Sequence, residues 1–480
     1  MLGNNRDNTI FSGVDWITVS IYFALVIMGW ITIFAAVYNE EHSSILDISQ
    51  QYGAQLVWIC ICTIISISIL LIEDRFFHIF AYLIYAATIV TLLAVLLFGK
   101  EVNGAKAWFE IGQFRIQPSE FAKFATGLAL AKYMSSYNFN IKRISNIFAV
   151  FFIALLPAVI ILAQNDTGSA LVYGSFLIML YREGFTPWIY IILFMVIALF
   201  VLSFIIETWA LILLIFICII ILESIKNGMI LLKAQYLGLT MFVWLLIELL
   251  QSTGIFTFNI NTTFTLLISI LITLPAVIIY MIKLHLPNVT AYLTLLIGSV
   301  LLISSVDFVF NNMMQVHQQK RILDLLGLES DTKGWGYNVN QSKIAIGSGG
   351  FLGKGYLNGT QTKYNFVPEQ STDFIFCTIG EEWGFAGSAL IVILFTVLII
   401  RLMRMGDNQK EPFGRIYCYY VASILMFHMA INIGMTIGLI PVIGIPLAFF
   451  SYGGSSLMAF TILLFIAIRL DSRRNEISRF

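Results

Sequence analysis

The chain has 480 residues, of which 59% are hydrophobic and 11% charged, and its 27 basic and 27 acidic side chains cancel to a net charge of zero. A composition with a mean hydropathy of +0.89 cannot be solvated by water, so a soluble globular enzyme is excluded, and zero net charge leaves no general attraction for nucleic acid. The five cysteines form no C-x-x-C pair and have no neighbouring histidine set, which argues against a zinc module or a disulfide scaffold.

Apolar runs of about twenty residues, enough to cross a hydrocarbon core roughly 30 Å thick, recur along the chain. They include 16–37, 76–98, 264–283 and 289–309, and the spacing predicts about fourteen helices in an all-α polytopic membrane protein. The runs near 168–181 and 455–470 are the shortest. The start MLGNNRDNTIFSGVDW has no basic n-region, so the run from Trp16 reads as an anchor rather than a cleaved signal. Arg75, Lys142, Arg143, Arg182, Lys226, Lys283, Arg401, Arg415 and Arg469 fall in alternate connections, which predicts that both termini are cytoplasmic.

Two segments on the opposite face interrupt the apolar pattern. The first is 99–117; the second, 311–385, is a long loop with aromatic anchors such as Trp335, Tyr356 and Phe374, and is expected to be ordered against the membrane. The divisions predicted are an N-terminal bundle over 1–186, extra helices over 187–288, a helix at 289–310 leading to this loop, and a C-terminal bundle over 386–480.

Between the two segments' helices, "QPSEFAKF" opens a helix with Pro118 at its first turn and puts Glu120 and Lys123 on one helical face. An unpaired charge inside a bilayer costs about 2.5–3.5 kcal/mol on insertion scales, so such a pair marks a polar cavity or a helix end. Asp166 fits a helix cap as well as a functional role, and His428 and Asn432, four apart, fit packing polars. The loop holds carboxylates at Asp331, Glu369, Asp373, Glu381 and Glu382 and cations at Lys320, Arg321, Lys333 and Lys354. A carboxylate among cations at a membrane surface suits attack by a hydroxyl on a lipid-linked diphosphate. The glycine-dense stretch "IAIGSGGFLGKG" lacks the P-loop spacing, which leaves either a set of tight turns packed on helix ends or a backbone that approaches a bulky, anionic ligand.

Taken in order, "QPSE" at 117–120, "QSKIAIGSGGFLGKGYLNGTQTKYNFVPEQSTDFIF" at 341–376, "GEEWGF" at 380–385 and "NIGMTIGLIPVIGIPLAFFSYGGSS" at 432–456 closely resemble the SEDS family of cell-wall polymerases, in its elongation rather than its division form. The resemblance implies a SEDS-type helical bundle with a large extracytoplasmic loop, here with about four more crossings than the family's usual ten or so. It implies a peptidoglycan glycosyltransferase in the bacterial cytoplasmic membrane that joins lipid II units into glycan. Asp331, in "GLESDTKGWGYNVNQS", matches the family's acid and would be the general base, with undecaprenyl pyrophosphate leaving in one inverting displacement.

Trp108, Glu120, Lys123, Lys320, Arg321, Gln341, Ser342, Gly349, Lys354, Gln361, Glu369 and Asp373 are the expected substrate-binding set. A divalent cation, Mg or Mn, suits the diphosphate, but no metal ligand is assignable and no organic cofactor is implied. The implied partners are a class B penicillin-binding protein acting as transpeptidase, other membrane proteins of the elongation machinery, and membrane lipids. The chain departs from the family at Gly327-Leu328, where relatives carry Asp-Pro, and in the extra crossings between Pro187 and Val309. A lipid II flippase and a non-catalytic scaffold remain as competing readings; a flippase has no need of a base at Asp331.

Overall fold

The computed structural model describes residues 13–38, 47–102, 104–111, 114–227, 230–253, 262–283, 297–303, 305–306, 309–314, 316–325, 336–364 and 366–473. Within these, eight helices are long and apolar enough to cross a membrane: Trp16–Val37, Gln51–Leu71, Asp74–Phe98, Ile144–Ala163, Trp188–Ile205, Gly384–Asn408, Pro412–Thr436 and Gly454–Ser472. This is the all-α membrane protein expected. The expected crossing at 289–309 lies partly outside the described residues.

Two stretches resolve differently from the simple helical reading. Residues 167–182 form Thr167–Val172, a single 3-10 turn at Tyr173–Ser175 and Phe176–Arg182, in place of one continuous span. Residues 100–116 fold into a small antiparallel sheet of β1 (Lys100–Val102), β2 (Ala105–Ile111) and β3 (Phe114–Ile116), in the order β1-β2-β3. Alternation in "AKAWFEI" fits β2, with Ala107 buried and Glu110 outward, where it accepts from both Lys100 and Arg115.

The chain forms two compact units, Met1–Phe185 with Lys320–Phe480, and Thr186–Gln319. The second unit has its own core of Leu199, Leu211, Ile212, Phe216, Leu266 and Ile303. Glu248 inside it is not left open to lipid: its carboxylate accepts from Thr265 Oγ1 at 2.5 Å, and Thr265 in turn accepts from Trp244 Nε1 at 3.2 Å.

In the first unit the helix Pro118–Met134 is buried along most of its length between its neighbours. Small residues allow this. A Cβ on Gly127 would lie 2.4 Å from the Tyr420 ring, so this helix and Pro412–Thr436 approach as closely as small-residue membrane interfaces permit. The first helix is capped by Asp15, whose carboxylate also receives a two-pronged bond from Arg401 at 2.6 and 2.7 Å.

The long loop is built from short helices, among them Val316–Leu325, Tyr337–Ser348, Thr360–Lys363 and Ile375–Glu382. Its centre is Glu381, fully buried, whose two carboxylate oxygens accept from Lys354 Nζ at 2.7 Å, the amides of Thr360, Gln361 and Thr362 at 2.7, 2.9 and 3.0 Å, and both threonine hydroxyls. The carboxylate closes the start of Thr360–Lys363, and so ties the "GTQT" stretch to "GEEWGF". Burial alone would raise its pKa, but the Lys354 ammonium and the threonine and glutamine donors outweigh burial and hold it below the usual glutamate value.

The glycines are what let the main chain reach this position. The amides of Lys354 and Gly355 donate to the carbonyls of Glu381 and Glu382, each at 3.0 Å, and Phe385 donates to Gly350 at 2.9 Å. A Cβ on Gly349 would sit 1.9 Å from the Gly380 carbonyl oxygen, and one on Gly353, at φ +81°, would sit 2.1 Å from the Glu382 carbonyl oxygen. The backbone makes the tight packing on a helix end that is one of the two readings of the glycine run.

Glu382 has a different environment from its neighbour. It is 2% exposed, its Oε2 has no hydrogen-bond partner among the described residues, and burial with the adjacent Glu381 charge pushes its pKa up to about 7 against a backbone bond at Leu357. A carboxyl whose folded pKa is raised binds more protons folded than unfolded, so stability falls as pH rises from about 4.5 to about 7. Over that interval, at 1.36 kcal/mol per pH unit, the loss is at most about 3 kcal/mol. The expected outcome for Glu382→Gln is a thermal midpoint in detergent that loses this fall between pH 5 and 8, while the native chain keeps it. Gly349→Val should insert normally yet lose the fold of the loop, by at least about 1–3 kcal/mol of overpacking, and limited proteolysis should cut the variant within 345–365 under conditions that spare the native chain.

Candidate active site

The feature that composition most disfavours is the ion pair in the membrane bundle. Glu120 and Lys123 are 4% and 2% exposed, and Lys123 Nζ donates to Glu120 Oε1 at 2.7 Å. One helical turn separates them, so Pro118, by fixing where the helix begins, fixes both on the face turned inward. Lys123 Nζ also lies 3.3 Å from His428 Nε2 and 5.0 Å from the centre of the Phe460 ring, which gives the ammonium a carboxylate, an imidazole and an aromatic face around it. The second oxygen of Glu120 is buried with no partner among the described residues. An open carboxylate oxygen in a dry site is a place for a donor, and a sugar hydroxyl is a donor of that kind.

The late helix Pro412–Thr436 links this pair to the loop. His428 Nδ1 is 3.0 Å from the Pro446 carbonyl, and Asn432, one turn on, donates from Nδ2 to the carbonyls of Ile445 and Asp373, both at 2.8 Å. The non-helical stretch 437–453 is thereby pinned to the helix and to the loop at once. Ser451 Oγ donates to the Thr372 carbonyl at 2.6 Å, and the Tyr452 amide to the Ser371 carbonyl at 2.9 Å. The side-chain oxygen of Asn432 is buried and has no partner among the described residues. On the other flank Gln117 Nε2 donates to Asp166 Oδ2 at 2.8 Å while Asp166 Oδ1 accepts from the Ser169 amide at 3.0 Å, so Asp166 caps Thr167–Val172 and holds the "QPSE" turn together.

The expected substrate-binding residues are distributed as follows. Trp108 is half-buried in β2, opposite Lys100. Ser342 is fully buried and donates to the Thr436 carbonyl at 2.9 Å, and Gln341 beside it is half-buried. Asp373 is half-buried, with Oδ2 close to Gly444, where a Cβ would lie 3.3 Å away. Glu369 is exposed, at φ +55°, and accepts from the Thr372 hydroxyl at 3.0 Å. Lys354 and Gln361 belong to the Glu381 clamp, although Gln361 Oε1 is buried and open. Lys320 is exposed on Val316–Leu325; Arg321 is on the same helix, with its side chain outside the described residues, and Asp331 lies outside them too. The structure thus joins Glu120 and Lys123 to Asp373 through His428 and Asn432. Sequence reasoning had noted those last two only as packing polars, and their four-residue spacing inside an apolar helix was the available signal.

With this geometry in hand, similarity to known proteins can be stated. The family of cell cycle proteins FtsW, RodA and SpoVE matches residues 15–214 and 208–476. The peptidoglycan glycosyltransferase RodA of Treponema pallidum is 30% identical over 464 residues, covering 96% of this chain and 98% of the relative. The peptidoglycan glycosyltransferase MrdB of Escherichia coli K12 is 27% identical over 409 residues, 85% of this chain and 82% of the relative. Among solved structures, a peptidoglycan synthase complex that coordinates polymerisation and crosslinking contains a chain of similar fold, with a TM-score of 0.58 at 23% identity over 96% of this chain and 98% of that one. The rod shape determining protein RodA of Thermus thermophilus has a TM-score of 0.53 at 20% identity over 97% and 99%. The chain is a member of the FtsW, RodA and SpoVE family, the SEDS polymerases that its motifs resemble.

Proposed function

We propose that this chain is a peptidoglycan glycosyltransferase that polymerises lipid II into glycan strands for cell elongation and rod shape. The observation that carries the reading is the Glu120–Lys123 pair, buried in the helix that "QPSE" opens, with one carboxylate oxygen left without a partner among the described residues. A structural ion pair buried this deeply is poor value for stability, since desolvation offsets its attraction, which favours retention for chemistry.

In the proposed reaction Asp331 takes the proton from the 4-hydroxyl of the acceptor sugar, that oxygen bonds to the anomeric carbon of the donor, and the bond to undecaprenyl pyrophosphate breaks. A single displacement inverts the donor's α linkage to β. Trp108, Glu120, Lys123, Gln341, Ser342, Gln361, Glu369 and Asp373 are proposed to bind the sugars, with Lys320, Arg321 and Lys354 as cations toward the diphosphate, and Gly349 to shape the loop. Lys354 already serves Glu381, so its share would be electrostatic rather than a freely placed donor.

Among the described residues no group of three or more His, Cys, Asp or Glu could hold a metal ion. A divalent cation therefore stays a proposal centred on the substrate's own oxygens, and no step is drawn through it. We place the chain in the bacterial cytoplasmic membrane with both termini in the cytoplasm and the loop outside, on the distribution of basic residues. The added helices are read at 187–288, which fall within the unit Thr186–Gln319. A class B penicillin-binding protein is the proposed partner, by analogy with the synthase complex of similar fold.

Incubation of the purified chain with lipid II and such a transpeptidase should yield glycan ladders on a denaturing gel. Asp331→Asn should cut the rate by about 10²–10⁴-fold, the usual worth of a general base, with folding intact. Equal ladders from both chains would remove Asp331 as the base, and none from either would favour lipid II transport over synthesis.

A further inference from the structure

His428 is 1% exposed, within Pro412–Thr436, and each of its ring nitrogens has a single partner among the described residues. Pro446 offers a carbonyl, which only accepts, so the nitrogen 3.0 Å from it, Nδ1, must carry a proton. Lys123 offers an ammonium, which only donates, so the nitrogen 3.3 Å from it, Nε2, must present a lone pair. The two partners together select one tautomer of the neutral ring. Phe460 then fixes the ring plane: it stands edge-to-face on His428 at 4.7 Å and 86°, and the same ring lies under Lys123.

We propose that His428 is a positioning residue for glycan polymerisation, a neutral Nδ1–H imidazole that accepts one N–H of Lys123 and so directs the ammonium between Glu120 and the substrate. The activity half of this inference rests on the proposed glycosyltransferase reaction; the tautomer does not. Without the imidazole, Lys123 keeps Glu120 as its one hydrogen-bonded partner among the described residues and can swing with it, while the Pro446 carbonyl loses its donor. Lys123 and His428 are 305 positions apart in sequence, so the bond also records how the "QPSE" helix docks on the late helix and on the stretch 437–453 that follows it.

The test is the 15N spectrum of detergent-solubilised protein labelled at its five histidines, with His428 assigned by subtraction of the His428→Gln spectrum. The expected result is a protonated Nδ1, an unprotonated Nε2, and an Nε2 resonance that moves in Lys123→Met. An Nε2–H tautomer, an imidazolium, or a resonance indifferent to Lys123→Met would overturn the proposal, whatever the activity of the chain. In polymerisation, His428→Leu should lose about tenfold or more in rate, the scale of one charge-assisted hydrogen bond. His428→Gln, which also carries one donor and one acceptor group, should recover most of that loss. A Leu variant that polymerises at the native rate, or a Gln variant as impaired as Leu, would contradict the positioning role.

Discussion

A lysine and a glutamate one helical turn apart, almost fully withdrawn from solvent inside a membrane bundle, constrain what surrounds them. Each charge is costly to bury, and the pair is tolerable only because a third group, an aromatic face and a fixed helix start all serve it. Pro118 sets the start, Phe460 covers the ammonium, and His428 supplies a lone pair. The stretch 437–453 must then pass where it does, because its Pro446 carbonyl orients His428 and its Ile445 carbonyl receives Asn432. Asn432 reaches Asp373 as well, and through that bond the bundle interior is coupled to the long loop.

The loop has its own organising charge in Glu381. Six donors from Thr360, Gln361, Thr362 and Lys354 converge on a carboxylate with no exposed surface, so these parts of the loop are fastened to the end of Ile375–Glu382. Glycine is needed because this fastening brings main chain against main chain, with no space for a Cβ at Gly349 or Gly353. Neighbouring Glu382, equally buried but poorly supplied with donors, shows how far the environment separates two adjacent carboxyls.

Much of the membrane architecture was legible in the sequence, since apolar runs have a length set by the bilayer and need no tertiary information. The ion pair was legible for a similar reason: a three-residue spacing after a proline is a local signal. The small sheet at 100–116 was also written locally, in the alternation of "AKAWFEI", but a membrane-helix reading passes over a stretch so short. What could not be read was anything joined across long sequence distance. Nothing near Glu381 announces that it will cap Thr360–Lys363, and nothing near His428 announces a lysine 305 residues earlier. Motif order carried what local physics could not, because it places whole segments relative to one another.

The central claim is that the buried Glu120–Lys123 pair is retained for polymerisation rather than for stability. The most direct measurement is the rate of glycan formation from lipid II by purified Lys123→Met, alongside its thermal midpoint. The account predicts a rate at least about 100-fold below native; the midpoint should fall too, because Glu120 is left buried without its partner, whereas Glu120→Leu combined with Lys123→Met, which removes the whole pair, should restore the midpoint and not the rate. Native-rate polymerisation by Lys123→Met would contradict it.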